Sequence, residues 1–101
     1  MNLTHTLKAF QELTVYELYA ILQLRSEVFV VEQNCVFQDM DDKDQKCYHL
    51  LMFSGETLVA YSRLVPAGVS YAETSIGRVI TAPSVRGTGL GKVLMGLAIQ
   101  Y

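Results

Sequence analysis

SVRGTGLGKVLM, residues 84–95, sets three glycines within five positions, behind an arginine and ahead of an apolar helical pattern. Glycines lack a Cβ, so the backbone can approach a ligand closely and adopt angles that other residues avoid. The first N–H groups of a helix have no partner inside it and point toward one spot. The helix dipole adds about 0.3–1 kcal/mol for an anion placed there. Each charge-assisted hydrogen bond adds roughly 1.5–3 kcal/mol. The stretch therefore reads as a phosphate loop joining a strand to a helix. The strand is expected over Ser75–Thr81, and Pro83 with the glycines breaks the chain. The helix is expected to open near Gly89 and to bury Leu90, Val93, Leu94, Leu97 and Tyr101.

Two familiar phosphate motifs do not fit. A Walker loop needs glycine at position 86 and Ser or Thr at 93, where Arg86 and Val93 stand. In the dinucleotide fingerprint the third glycine falls on Lys92 or on Leu94, depending on the starting glycine. What does fit is Arg-x-x-Gly-x-Gly, here Arg86-Gly87-Thr88-Gly89-Leu90-Gly91. A pyrophosphate, rich in acceptor oxygens, suits that geometry.

Working back along the chain, CYHLLMF and TLVAYSRLV read as two strands with a tight turn at Ser54-Gly55-Glu56. Leu7 to Phe10 can form a short first strand. Thr14 with Glu17 has the form of a capping box, and Leu13 with Leu18 that of a hydrophobic staple. A helix is expected over 14–29, with a buried stripe of Val15, Leu18, Tyr19 and Leu22, joined by Ile21 and Val28. Arg25 interrupts that stripe, so it requires an acceptor, with Glu32 or Asp41 as candidates. The order strand, helix, three strands, helix predicts an α/β fold with an antiparallel meander flanked by helices. A strand-then-helix unit ordinarily crosses over to a parallel strand, which is missing here. Residues 1–101 are thus expected to form the front part of a single larger domain, or one completed by a partner chain.

The composition narrows the function. The chain has 101 residues, enough for one small domain. Half the residues are hydrophobic and the net charge is -2, with eight scattered Lys and Arg, so neither a nucleic-acid backbone nor an anionic membrane is an expected partner. The N-terminus lacks a signal-peptide core, and no apolar run is long enough to span a membrane. Cys35 and Cys47 match no zinc spacing and read as reduced thiols in a cytoplasmic protein. No metal site is expected. With Asp39 as first ligand of an EF-hand, position six is Asp44 and position twelve is Leu50, which excludes that motif. Asp39, Asp41, Asp42 and Asp44 read instead as a solvated acidic loop able to attract a cationic amine.

Strand, VIxxPxxRGxGLG and helix together resemble the coenzyme A-binding motif of the GNAT superfamily of N-acetyltransferases. LYAILQLRSEVFVVEQNCVFQDMDDKD, residues 18–44, resembles the ElaA-like branch of that superfamily. The resemblance runs from about Leu13 to Met95. It implies a GNAT-like mixed, mostly antiparallel sheet lacking its C-terminal strands, and acetyl-CoA as cosubstrate. It implies that backbone N–H groups from Arg86 to Gly91, and on to Lys92, bind the pyrophosphate. It also implies that Val79, Ile80 and Thr81 pair with the pantetheine arm as if it were an added strand. The expected reaction is direct transfer of acetyl to a primary amine on a small molecule or peptide.

The resemblance implies that Glu32 and Gln33 border the acceptor site, where Glu32 can serve as a base, although most such carboxylates are simply solvated. His49 can relay a proton, against the commoner role of a hydrogen-bonded structural histidine. Glu73 lies out of register for a base on the cofactor strand. Two rival readings remain: a coenzyme A-binding module without turnover, and an interaction module or homodimer joined through the open sheet edge.

Overall fold

The computed structural model describes residues 3–32, 39–68, 74–85 and 89–100. Four strands, β1 (Leu3–Ala9), β2 (Tyr48–Ser54), β3 (Thr57–Val65) and β4 (Ser75–Thr81), form one sheet in the order β1-β2-β3-β4. Every pairing is antiparallel. The expected meander is therefore present, and β3 and β4 have the expected bounds. Gly55 makes the β2–β3 turn at φ 61°, a left-handed conformation that glycine adopts without penalty.

Helix α1 (Val15–Arg25) lies on one face of the sheet and α2 (Leu90–Gln100) on the other. The α1 start is capped as its sequence implies. Glu17 N–H donates to Thr14 Oγ1 at 3.0 Å, and Thr14 N–H donates to the Glu17 carboxylate at 2.9 Å. Lys8 on β1 ties that same carboxylate to the sheet at 2.9 Å. Beyond Arg25 the chain continues as a π-helical segment, Ser26–Glu32.

The buried faces of both helices differ from the expected stripes. In α1 the sheet covers Ile21, Leu24 and Arg25, continuing to Val28, while Val15 and Tyr19 stand 77% and 72% exposed. This helix is apolar on nearly every side, so periodicity alone does not select a face. The sheet takes the face that carries Arg25, because buried carboxylates await it. Among the described side chains of α2, Leu94 and Ala98 are buried and Leu97 is partly covered, whereas Val93 is half exposed; the Leu90 side chain and Tyr101 lie outside the described residues. A Cβ on Gly91 would lie 3.9 Å from Thr81 Cγ2, so the small residues Gly91 and Ala98 face the sheet side of α2.

The alternation of the strands builds two cores. Leu50, Met52, Ala60 and Leu64 meet Leu94 and Ala98 of α2. Leu51, Leu58, Tyr61 and Ile80 meet Ile21, Leu24 and Val28 of the α1 layer. Among the described residues, no helix is long and apolar enough to cross a membrane.

Candidate functional site

Two features adjoin at the end of β4. The first is the start of α2. Gly89 takes φ 80°, and a Cβ built there would meet nothing within 4 Å among the described residues. The helix thus begins on an open, left-handed glycine. Val93 N–H donates to the Gly89 carbonyl at 3.4 Å, and Lys92 N–H at 3.2 Å. The Lys92 amide is therefore engaged inside the helix, and the donors that face outward are those before it. The Lys92 side chain is exposed, in the first turn of α2. Arg86, Gly87 and Thr88 lie outside the described residues, as do Gln33, Cys35 and Glu73, and so does the Glu32 side chain. Leu90 is the first residue of α2.

The second feature is β4 itself. It ends the sheet, with β3 as its one neighbour among the described residues. Val79 is 38% exposed, whereas Ile80 is buried in the α1-side core. The strand runs into the loop through Ala82, whose N–H donates to Val59 O at 2.7 Å, and through a short helical turn, Pro83–Val85. An edge strand followed by a glycine-led helix start suits a ligand with an extended arm and a polyphosphate end. A groove of about 600 Å³ opens beside Ala82 and Pro83 on the α1 side. It carries Glu27 and Glu56, whose charges disfavour a phosphate there.

Behind β4 lies a cluster that the sequence reading did not assemble. The acidic segment is not solvated. Asp39 and Asp44 are 6% and 7% exposed, and three arginines hold them and Asp41. Arg25 donates to Asp39 Oδ2 at 2.6 Å and to Asp44 Oδ1 at 2.8 Å, so its acceptors are these two rather than Asp41. Arg63 grips both oxygens of Asp41 at 2.8 and 2.9 Å and reaches Asp44 at 3.1 Å. Arg78 meets Asp39 at 2.9 Å. Three carboxylates thus face three guanidiniums, and little charge remains to attract an amine. Asp42 alone of the four stays exposed. Burial opposes ionisation of Asp41, but the bonds from Arg63 and the Lys43 N–H prevail, and its pKa falls to about 2. Burial likewise opposes the charge on Arg25 and Arg63, yet their carboxylate partners hold both pKa values above the ordinary one.

His49 completes this cluster as a structural residue. It is 1% exposed. Its Nε2 lies 2.9 Å from the Asp44 carbonyl, which only accepts, so Nε2 carries the proton. Nδ1 then accepts from the Tyr61 hydroxyl at 2.6 Å. Burial, with Arg25 and Arg63 nearby, pushes the histidine pKa down, and burial pushes that of Tyr61 up. Both groups stay neutral with their hydrogen bonds spent internally, and His49 has no free nitrogen for a substrate. The sequence held a signal for this cluster: Arg63 and Arg78 interrupt apolar strands as Arg25 interrupts a helix, and each buried cation calls for an acid.

One antiparallel sheet lies between α1 and α2, and its last described strand, β4, leads toward the glycine-led start of α2. The chain belongs to the acetyltransferase (GNAT) family, which matches residues 15–101. It is 43% identical over 91 residues to protein ElaA of Escherichia coli, covering 88% of this chain and 60% of that protein. An acyl-CoA N-acyltransferase from Pseudomonas aeruginosa has a TM-score of 0.93 at 44% identity, over 98% of this chain and 69% of that one. The crystal structure of E. coli ElaA has a TM-score of 0.92 at 39% identity, over 98% and 68%. The chain spans 60–66% of the length of the curated relatives it matches.

Proposed function

We propose that this chain carries the cofactor-binding part of an N-acyltransferase that moves an acetyl group from acetyl-CoA to a primary amine of a small molecule or peptide. The observation that carries the reading is β4, with β3 as its one neighbour among the described residues, leading toward a helix that starts on Gly89 at φ 80°. Two observations support the cofactor: no described residue stands within 4 Å of a Cβ at Gly89, and the exposed Lys92 adds positive charge.

The roles divide along the chain. Backbone donors from Arg86 to Gly91 take the pyrophosphate, and Lys92 contributes through its side chain. Val79, Ile80 and Thr81 offer a strand edge to the pantetheine arm, a form of strand addition. When bound, the cofactor supplies a thioester carbonyl open to attack by a neutral amine. A backbone N–H of β4 stabilises the oxyanion that develops on that carbonyl. An amine with a pKa of about 10 must first lose a proton. His49, sealed behind the sheet, does not take it. Glu32, the last residue of the π-helical segment, is the candidate base.

The test is thiol release from acetyl-CoA by the purified chain with a panel of amines and amino-terminal peptides. Amine-dependent release that falls in Glu32→Gln, with cofactor affinity unchanged, supports transfer with Glu32 as base. Cofactor binding without release under any amine overturns transfer and leaves a binding module.

A further inference from the structure

Strand β4 has one residue too many for its partner. Between the pairs Tyr61↔Ile80 and Arg63↔Gly77, β3 advances two residues and β4 advances three. Ser62 therefore faces both Arg78 and Val79, the two-against-one pattern of a β-bulge. The side chains agree. Ile76 packs in the α2-side core and Ile80 in the α1-side core, although a regular strand would place both on one face. The bulge reverses the facing of Val79–Thr81, the segment assigned above to the cofactor arm.

Arg78 stands at the turning point with φ 49°. Bulky L-residues rarely adopt that conformation, and glycine is the usual occupant of such a bulge. Its side chain shows what holds it there. Nε donates to Asp39 Oδ1 at 2.9 Å and Nη2 to the Asp39 carbonyl at 2.9 Å. The guanidinium also lies 5.9 Å from the centre of the Phe29 ring. Asp39 is itself fixed, because its other oxygen takes Arg25 Nε at 2.6 Å. A strained residue in the middle of the cofactor strand is thus bolted to the α1 layer.

We propose that Asp39 and Arg78 are positioning residues for acyl transfer: their ion pair latches the β4 bulge and so sets the edge along which the acyl-bearing arm lies. The proposal rests on the acyl-CoA reading. Neither residue needs to touch the cofactor's phosphates, which belong to the loop before α2.

Three variants test it. Asp39→Asn keeps the shape and removes the charge. Arg78→Lys keeps the charge and removes the fork of donors. The third is the double variant, with Lys8→Ala as a control at the distant Lys8–Glu17 pair. Each is titrated with acetyl-CoA and with adenosine 3′-phosphate 5′-diphosphate, the cofactor's nucleotide end. Both single variants are expected to weaken acetyl-CoA about tenfold and to leave the nucleotide within about twofold, and the double is expected to lose no more than either single. Amide exchange at residues 77–80 is expected to rise in the variants, with that at residues 50–53 unchanged. Equal weakening of both ligands, additive losses or unchanged exchange at the bulge overturns the latch and leaves the acyl-CoA reading standing. A folded wild-type chain that binds neither ligand overturns the acyl-CoA reading, and the positioning role falls with it. If Asp39→Asn does not fold, Arg78→Lys alone gives the same comparison of the two ligands.

Discussion

The two faces of one sheet are held in different ways. On the α2 side, Leu50, Met52, Leu64, Leu94 and Ala98 form a dry core whose stability comes from removing apolar surface from water. On the α1 side, apolar contacts share the interface with Arg25, Asp39, Asp44, His49, Tyr61 and Arg63, all buried. A core of hydrocarbon tolerates repacking and is indifferent to pH. A core of matched charges specifies partners and responds to protons, and it fails sharply when one member is removed. The candidate functional features divide the same way. The glycine-led start of α2 belongs to the apolar side, whereas the charged side holds Arg78 of the strand beside it.

The largest expected effect comes from breaking the charged face. Arg25→Met leaves Asp39 and Asp44 buried without their shared cation, and a broken buried pair costs about 3–5 kcal/mol. Urea unfolding at neutral pH should show a loss of that size. Leu94→Ala, the matching cut on the apolar face, is expected to cost about 2–5 kcal/mol through lost burial and the cavity left behind. The two losses should differ in character. The Leu94→Ala loss should stay flat from pH 8 to pH 5, because no titrating group is involved.

Acid sharpens the comparison further. Asp41 is depressed from 3.8 to about 2, so its contribution is fully present above the unfolded value and fades as pH falls through the folded one. That contribution is on the order of 2 kcal/mol. Asp41→Asn should remove the corresponding limb of the stability curve between pH 4 and pH 2. His49 is also depressed, first by burial and then by the neighbouring arginines. Its unfolded form takes up a proton below about pH 6.5 while the folded form resists. Stability is therefore expected to decline as pH falls from 6.5, and His49→Gln should flatten that decline in a pH series of urea midpoints.

The smallest expected effect separates two neighbouring glycines. Gly91 lies inside α2, and a Cβ there would make an ordinary contact with Thr81. Gly91→Ala should stabilise the fold by about 0.5–1 kcal/mol, seen as a raised melting temperature. Gly89→Ala should destabilise it by about 1–2 kcal/mol, because alanine does not relax at φ 80°.

Much of the fold was legible locally. The Thr14–Glu17 capping box, the Gly55 turn and the alternation in TLVAYSRLV are short-range signals, and the start of α1, the β2–β3 turn and β3 formed there; β1 spans Leu3–Ala9 rather than Leu7–Phe10, and the α-helix gives way to a π-helical segment after Arg25. The glycine spacing in RGTGLG likewise pointed to the helix start. What was not legible depended on distant partners. An apolar helix such as α1 offers several faces, and only the carboxylates of a later segment choose the one with Arg25. The aspartates read as a solvated run because nothing nearby in sequence neutralises them; their arginines lie up to 39 residues away. The β4 bulge was hidden for the same reason, since Arg78 has a glycine-like angle and its partner Asp39 lies far off in sequence.

The central claim, that the loop before α2 holds the phosphates of an acyl-CoA, is tested most directly by calorimetric titration with acetyl-CoA of the wild-type chain, Gly89→Asn and Gly89→Asp. Both side chains tolerate the left-handed backbone and are nearly identical in size, so only the charge separates them. The expected result is saturable binding by wild type, retained at reduced strength in Gly89→Asn and abolished in Gly89→Asp. Equal affinity in the two variants, or no binding by a folded wild-type chain, would contradict the claim.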